Sequence, residues 1–274
     1  MQRLIAILQI KSRNEKDFKL WLNWYIDFIK CDLIYILNDN SLIDLNEYIC
    51  DVQIPIIHLQ MKNIDISEYR GDIKQLANLK FIIDNYIFNK NDLLITPDCD
   101  EFWWYNKNHF NSFKECINFK MNDMMTNCLC VPWILMNNNT YLKFRTDNYI
   151  NTFLYRNTLP VVEHKSVIKF IHQIDGDIHN LYRDSKSITE FDKNYSFQSI
   201  PDYSNDLRLY HFRYTTIEEF EFKKCETISN KKMPKYFSND NFENQIINGI
   251  YQNRDYNILD LTLINELKSL TIIK

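Results

Sequence analysis

Residues 91–104 read Asn91-Asp92-Leu93-Leu94-Ile95-Thr96-Pro97-Asp98-Cys99-Asp100-Glu101-Phe102-Trp103-Trp104, an apolar strand that ends in a cluster of carboxylates and runs on into aromatics. A strand that continues through 98–100 sends Asp98 and Asp100 to one side and Cys99 to the other. Two carboxylates so close repel each other unless a cation intervenes. Oxygen-only ligation of this kind suits Mg²⁺ or Mn²⁺, with diphosphate oxygens completing the shell. Asp-x-Asp alone is a weak pattern, and Asp175-Gly176-Asp177 is a second copy that reads as a plain turn. Only the first copy ends a buried strand.

Upstream of that stretch, strands and helices alternate. Apolar runs predict strands at 4–10, 33–37 and around 52–59. Between the first two, Phe18, Trp21, Leu22, Tyr25, Phe28 and Ile29 recur at helical spacing. A second helix is expected over 72–88. Such alternation points to a doubly wound, largely parallel sheet. In these folds ligands gather beyond the carboxyl ends of the strands, so the polar tips at 13–15, at Asp39 and at 98–101 should converge. Downstream the pattern turns strand-rich, with 129–136, 149–156 and 161–170 as candidates for an acceptor half. A helix is expected over 216–228, and the last forty or so residues read as a helical appendage.

Composition narrows the function classes. The 274-residue chain is 45% hydrophobic and 15% aromatic with only three glycines, as a globular α/β chain with a sizeable core should be. A formal charge of −4 argues against a nucleic-acid surface but not against a small anionic ligand, which needs only a few local cations. Seven cysteines without a CxxC pair fit reduced thiols. No apolar run is long enough for a transmembrane segment, so a cytoplasmic location is expected, with peripheral membrane contact left open.

The order Lys11-Ser-Arg13-Asn14-Glu15, then Trp21 to Tyr25, then Asn38-Asp39-Asn-Ser41, then Asp98-Cys-Asp100-Glu-Phe102 resembles glycosyltransferases of the GT-A fold, in particular the family 2 and family 92 group. Val131-Pro-Trp133, His164-Lys165-Ser166 and Leu209-Tyr-His211-Phe-Arg213 with Lys223 behind it extend the resemblance over roughly residues 3–225. Where the group usually has a Gly/Ser turn after the metal motif's following strand, this chain has Met136-Asn-Asn-Asn139.

The resemblance implies a Rossmann-like, mostly parallel α/β sheet with helices on both faces. It implies a transferase domain over 1–235, with a nucleotide-binding half at 1–105 and an acceptor half at 106–235, followed by the appendage at 236–274. Arg13, Asn14 and Asp39 would line the nucleotide pocket. Arg70 and Lys74, one helical turn apart, and Lys223 would face the diphosphate of a nucleotide-sugar donor, for which a UDP-sugar is favoured. Asp98 and Asp100 would hold Mn²⁺ or Mg²⁺, with His211 as a third ligand. Trp133, Lys165 and His179 fall on the side of a carbohydrate or glycoconjugate acceptor, and His179 is also the rival histidine to His211.

The expected reaction is transfer of a sugar to a hydroxyl acceptor with inversion, and Asp147, Glu163 and Asp175 are base candidates among which the sequence does not choose. Two alternatives share the pocket: a nucleotidyltransferase, and a non-catalytic carbohydrate-binding relative. The first lacks a Gly-rich phosphate loop near the amino terminus, and the intact Asp98/Asp100 pair argues against the second.

Overall fold

The structure is a computed structural model that describes residues 1–10, 15–39, 41–61, 81–137, 149–156, 164–170, 197–199, 204–212 and 258–271. The chain divides into two compact units, Met1–Trp133 with Val161–Tyr210, and Ile134–Pro160 with His211–Lys274.

In the first unit an apolar strand near the amino terminus is central. β1 (Leu4–Ile10) pairs in parallel with β2 (Leu33–Asn38) on one side and β4 (Leu93–Ile95) on the other. β2 pairs in parallel with β3 (Ile56–Gln60). Beyond β4 comes β8 (His164–Lys169), antiparallel to β4 and also to β6 (Cys128–Asn137). The order is therefore β3-β2-β1-β4-β8-β6 with β8 alone reversed, and β9 (Phe197–Ser199) adds in parallel to β6. β5 (Glu101–Tyr105) pairs with β10 (Leu207–His211). This mixed α/β architecture with a mostly parallel sheet is the one the sequence leads one to expect.

Both faces of the central strands are buried, as expected for a sheet of this kind. On one face Ile5, Ile7, Leu33, Tyr35 and Leu37 form a core with Ile82 and Ile83 of α3, helical over 81–85. On the other, Leu4, Ala6, Leu8, Ile34 and Ile36 are fully buried. The amino end of β4 is fixed by a buried carboxylate. Asp92 accepts from the Arg3 backbone N–H at 3.1 Å, Arg3 Nε at 3.0 Å and the Asn89 N–H at 2.8 Å. Asn91 enters the strand at φ 76°, a left-handed conformation that Asn tolerates well.

The helix expected from Phe18 onward is α1 (Glu15–Asn23), followed at once by a π-helical turn, Trp24–Phe28. α2 (Asn46–Ile49) is a single turn. α4 (Phe113–Asp123) starts at Ser112, whose Oγ accepts from the Glu115 N–H, and its Phe113 ring meets Trp103 edge-on at 5.9 Å.

In the second unit the end of β6 pairs with β7 (Tyr155–Arg156), which pairs with β11 (Ile258–Leu259). Arg156 and Asp260 form an ion pair at 3.3 Å. Here one expectation is corrected: 149–152 is not strand but α5 (Tyr149–Thr152), and only Tyr155–Arg156 pairs. A short apolar stretch fits either period, and the neighbouring chain decides. The carboxy-terminal stretch contains α6 (Thr262–Thr271), and the helix expected over 216–228 lies outside the described residues. Among the described residues no helix is long and apolar enough to cross a membrane.

Candidate functional site

Because β1, β2 and β4 run in parallel, their carboxyl ends share one edge, and Asn38, Asp39 and the 96–101 segment lie along it. The antiparallel β8 brings its amino-terminal residues to that same edge, with Lys165 opposite Val131 of β6.

The carboxylates sit on a turn, not on a continued strand. β4 stops at Ile95 and β5 begins at Glu101, so strict alternation of Asp98, Cys99 and Asp100 does not hold. The reason is local. Pro97 has no N–H to donate to a ladder. The Glu101 N–H then donates to Asp98 O at 3.0 Å while the Asp98 N–H donates to Glu101 Oε2 at 2.9 Å, a reciprocal pair that closes the turn. The Asp98 side chain is 29% exposed, whereas Asp100 is buried at 8%.

Three aromatic donors at the end of α1 hold this turn and the strand that follows. Trp21 Nε1 donates to Asp98 O at 3.1 Å, the Tyr25 hydroxyl to Glu101 O at 3.1 Å, and Trp24 Nε1 to Trp103 O at 2.8 Å. The π-helical turn begins at Trp24, within this group of donors. Such turns are frequent at functional sites. Burial pushes the Tyr25 hydroxyl well above its usual range, opposed by the backbone hydrogen bond with Trp103 and aided by Glu101, Cys31 and Asp98.

The charge balance of the turn depends on Lys165, whose side chain is only 6% exposed. Its Nζ lies 3.0 Å from Asp98 Oδ2, 3.5 Å from Glu101 Oε2 and 3.3 Å from Thr96 O. Glu101 is fully buried, and its Oε1 has no hydrogen-bond partner among the described residues. Burial pushes its carboxyl up to about 8 despite the opposing pull of Lys165, and Asp98 and Asp100 push the same way. At neutral pH this raised value favours the protonated Glu101, and Asp98 is the aspartate whose side chain meets the Lys165 ammonium.

The donor chemistry of Asp98 and Asp100 fits a hard divalent cation, since Mg²⁺ is commonly held by one or two carboxylates with waters and substrate phosphates filling the rest. Among the described residues no group of three or more His, Cys, Asp or Glu is arranged to hold a metal ion by itself.

Of the other residues singled out by sequence, Asp39 is half-buried at the tip of β2, its N–H donating to Ile10 O at 2.7 Å. Beside it the Ser41 N–H donates to Asn38 Oδ1 at 2.9 Å and Gln60 Nε2 to Asn38 O at 3.2 Å. Trp133 is half-buried near the end of the first unit's share of β6. His211 ends β10, is 4% exposed and belongs to the second unit. Arg13, Asn14, Arg70, Lys74, Asp147, Glu163, Asp175, His179 and Lys223 lie outside the described residues.

Sequence reasoning missed Lys165 as the partner of the acidic turn, and Trp21, Trp24 and Tyr25 as its supports. The available signal for Lys165 was a lysine next to the apolar run Val167-Ile168 of a buried strand, which needs an acid to pair with.

No protein-family model matches the sequence, and no curated protein matches it. Among solved structures the chain is similar to residues 1–349 of S. aureus TarS, at 10% identity over 90% of this chain and 69% of that one, with a TM-score of 0.41. It is similar to the CTP:phosphocholine cytidylyltransferase LicC of Streptococcus pneumoniae, at 15% identity over 83% and 99% of the two chains, with a TM-score of 0.37. It also resembles glucosyl-3-phosphoglycerate synthase from Mycobacterium tuberculosis, in complex with Mn²⁺, UDP and glucosyl-3-phosphoglycerate, at 10% identity over 50% and 45%, with a TM-score of 0.29. Likenesses this distant assign no activity.

Proposed function

We propose that the protein is a GT-A type glycosyltransferase of the family 2 and family 92 kind, moving a sugar from a nucleoside-diphosphate sugar to a hydroxyl of a glycan, glycolipid or protein-linked sugar. The observation that carries this reading is the acidic turn at the carboxyl edge of a mostly parallel sheet, where Asp98 and Asp100 meet the ligand edge and Trp21, Tyr25 and Lys165 hold the turn in place. Ligands of open α/β sheets bind at this edge.

In this reading Asp98 and Asp100 hold Mn²⁺ or Mg²⁺, which when bound supplies positive charge to the departing diphosphate. Asp39, at the tip of β2, contacts the nucleoside, and a UDP-sugar is the favoured donor. Arg13, Asn14, Arg70, Lys74 and Lys223 supply the remaining donor contacts, Trp133 and His179 the acceptor side. The proton of the acceptor hydroxyl goes to one of Asp147, Glu163 or Asp175, as an inverting transfer requires. The transferase domain spans 1–235, with 236–274 as an appendage, and the protein works in the cytoplasm.

The test is donor turnover with Mn²⁺ present. Asp98→Asn and Asp100→Asn should each lower sugar release from the donor at least a hundredfold, a loss typical of removing electrostatic stabilisation of a transition state, while circular dichroism stays unchanged. Full activity in both variants, or activity indifferent to chelator, refutes the reading. Pyrophosphate release from a nucleoside triphosphate in place of sugar release makes the protein a nucleotidyltransferase.

A further inference from the structure

We infer that Lys165 is a resident positive charge that makes divalent-cation binding at Asp98 and Asp100 conditional on a diphosphate; the inference rests on the metal site proposed above. The acidic turn already has a cation. Lys165 reaches it from β8, which runs antiparallel between β4 and β6, and places its ammonium 3.0 Å from Asp98 Oδ2 and 3.5 Å from Glu101 Oε2. A third contact, to Thr96 O at 3.3 Å, ties it to the end of β4. An ammonium that is 94% removed from solvent keeps its charge only where carboxylates compensate it, and here they are those of the turn.

An incoming Mg²⁺ or Mn²⁺ therefore competes with Lys165 for the same carboxylate. A unit charge and a divalent ion roughly 5 Å apart repel enough to weaken binding about tenfold even at the dielectric of water, and more where water is excluded. A diphosphate reverses this balance, because its negative charge satisfies the ammonium and the metal together. Lys165 would thus keep the bare turn from holding a metal tightly and reserve that for the donor complex. It acts through Asp98 and is a positioning residue.

The test is a titration of the full chain with Mn²⁺, free ion being read by electron paramagnetic resonance, without nucleotide and then with UDP, GDP or CDP. In the wild type Mn²⁺ alone should bind weakly, and a bound nucleoside diphosphate should tighten it at least tenfold; by linkage Mn²⁺ tightens the nucleotide equally. Lys165→Met should raise the affinity for Mn²⁺ alone about tenfold or more and shrink the coupling, whereas Lys165→Arg should preserve it. The double variant Lys165→Met/Glu101→Gln, which removes both members of the buried pair, should behave as Lys165→Met and serves if the single variant does not fold. Unchanged or weaker binding of Mn²⁺ alone in these variants, or coupling below about twofold in the wild type, overturns the inference. Failure of the metal site itself looks different: Mn²⁺ binding that ignores Asp98→Asn and Asp100→Asn removes that site, and this inference with it.

Discussion

Replacing Glu101 by glutamine removes a titration that the fold has displaced, and the effect is a slope, not an offset. Burial, opposed by Lys165 and aided by Asp98 and Asp100, moves this carboxyl from its ordinary 4.5 up to about 8. Between those values the folded chain retains a proton that the unfolded chain has released. Raising the pH therefore favours unfolding throughout this window, which is the sign opposite to that of a salt-bridged carboxylate with a depressed pKa. One proton of difference corresponds to ~1.4 kcal/mol per pH unit. Glutamine keeps the size of the side chain and an oxygen that can still accept from the Asp98 N–H, but it does not ionise. Measured under chelator, the stability of Glu101→Gln relative to wild type should thus rise by ~1.4 kcal/mol for each unit between about pH 5 and pH 7.5, then level off. For a chain of this size that is a relative gain of roughly 3–5 °C in thermal midpoint per unit, well within reach of differential scanning fluorimetry at a series of pH values. A difference between the two proteins that stays constant from pH 5 to pH 8 would show that Glu101 ionises normally and refute the charge balance drawn for the turn.

Two further substitutions probe the supports of the site. Asp92→Ala strands the backbone N–H groups of Arg3 and Asn89 and the Arg3 side chain at the opposite end of β4, and should cost about 2–4 kcal/mol in urea unfolding, with a loss under 1 kcal/mol counting against the hub. Trp21→Phe removes the indole N–H from Asp98 O and should cost only ~1–2 kcal/mol of stability, but should weaken UDP binding in the presence of Mn²⁺ severalfold; unchanged affinity would mean that the turn keeps its position without this bond.

The strands that proved readable were those whose burial is written in consecutive apolar residues: Leu4–Ile10, Leu33–Asn38 and Leu93–Ile95 all lie in the centre of the sheet. Their parallel pairing followed from the helices between them. The insertion of β8 in reverse between β4 and β6 could not be read, since it joins residues 72–76 positions apart on the β4 side and 32–40 on the β6 side by backbone pairing that leaves no mark on local pattern. A separation of 67 positions likewise hid the partner of the acidic turn. Asp98 and Asp100 stood out as neighbours in sequence, whereas the ammonium that meets Asp98 arrives from Lys165. Expecting 98–100 to alternate as a strand failed because Pro97 and the Glu101 carboxylate supply turn chemistry that outweighs the apolar run before them. The indole and phenol donors of Trp21, Trp24 and Tyr25 were hidden by their own hydrophobicity. Helical spacing explains why such residues are buried, and says nothing of where their polar atoms end up.

The clamp formed by those rings has a spectroscopic consequence. Trp21 and Trp24 are buried at 0% and 1% exposure, and each donates its indole N–H to a backbone oxygen, one of them on the acidic turn and the other on the strand that leaves it. Trp103 is equally buried, and Trp104 lies under the Arg208 guanidinium at 5.2 Å. Indole emission responds to nearby charge and to the loss of a hydrogen bond, so the intrinsic fluorescence of this chain is concentrated where the charge of the turn would change. Ligand-induced movement at Asp98 can thus be followed in the unlabelled protein, and Trp21→Phe identifies how much of the signal originates at that one bond.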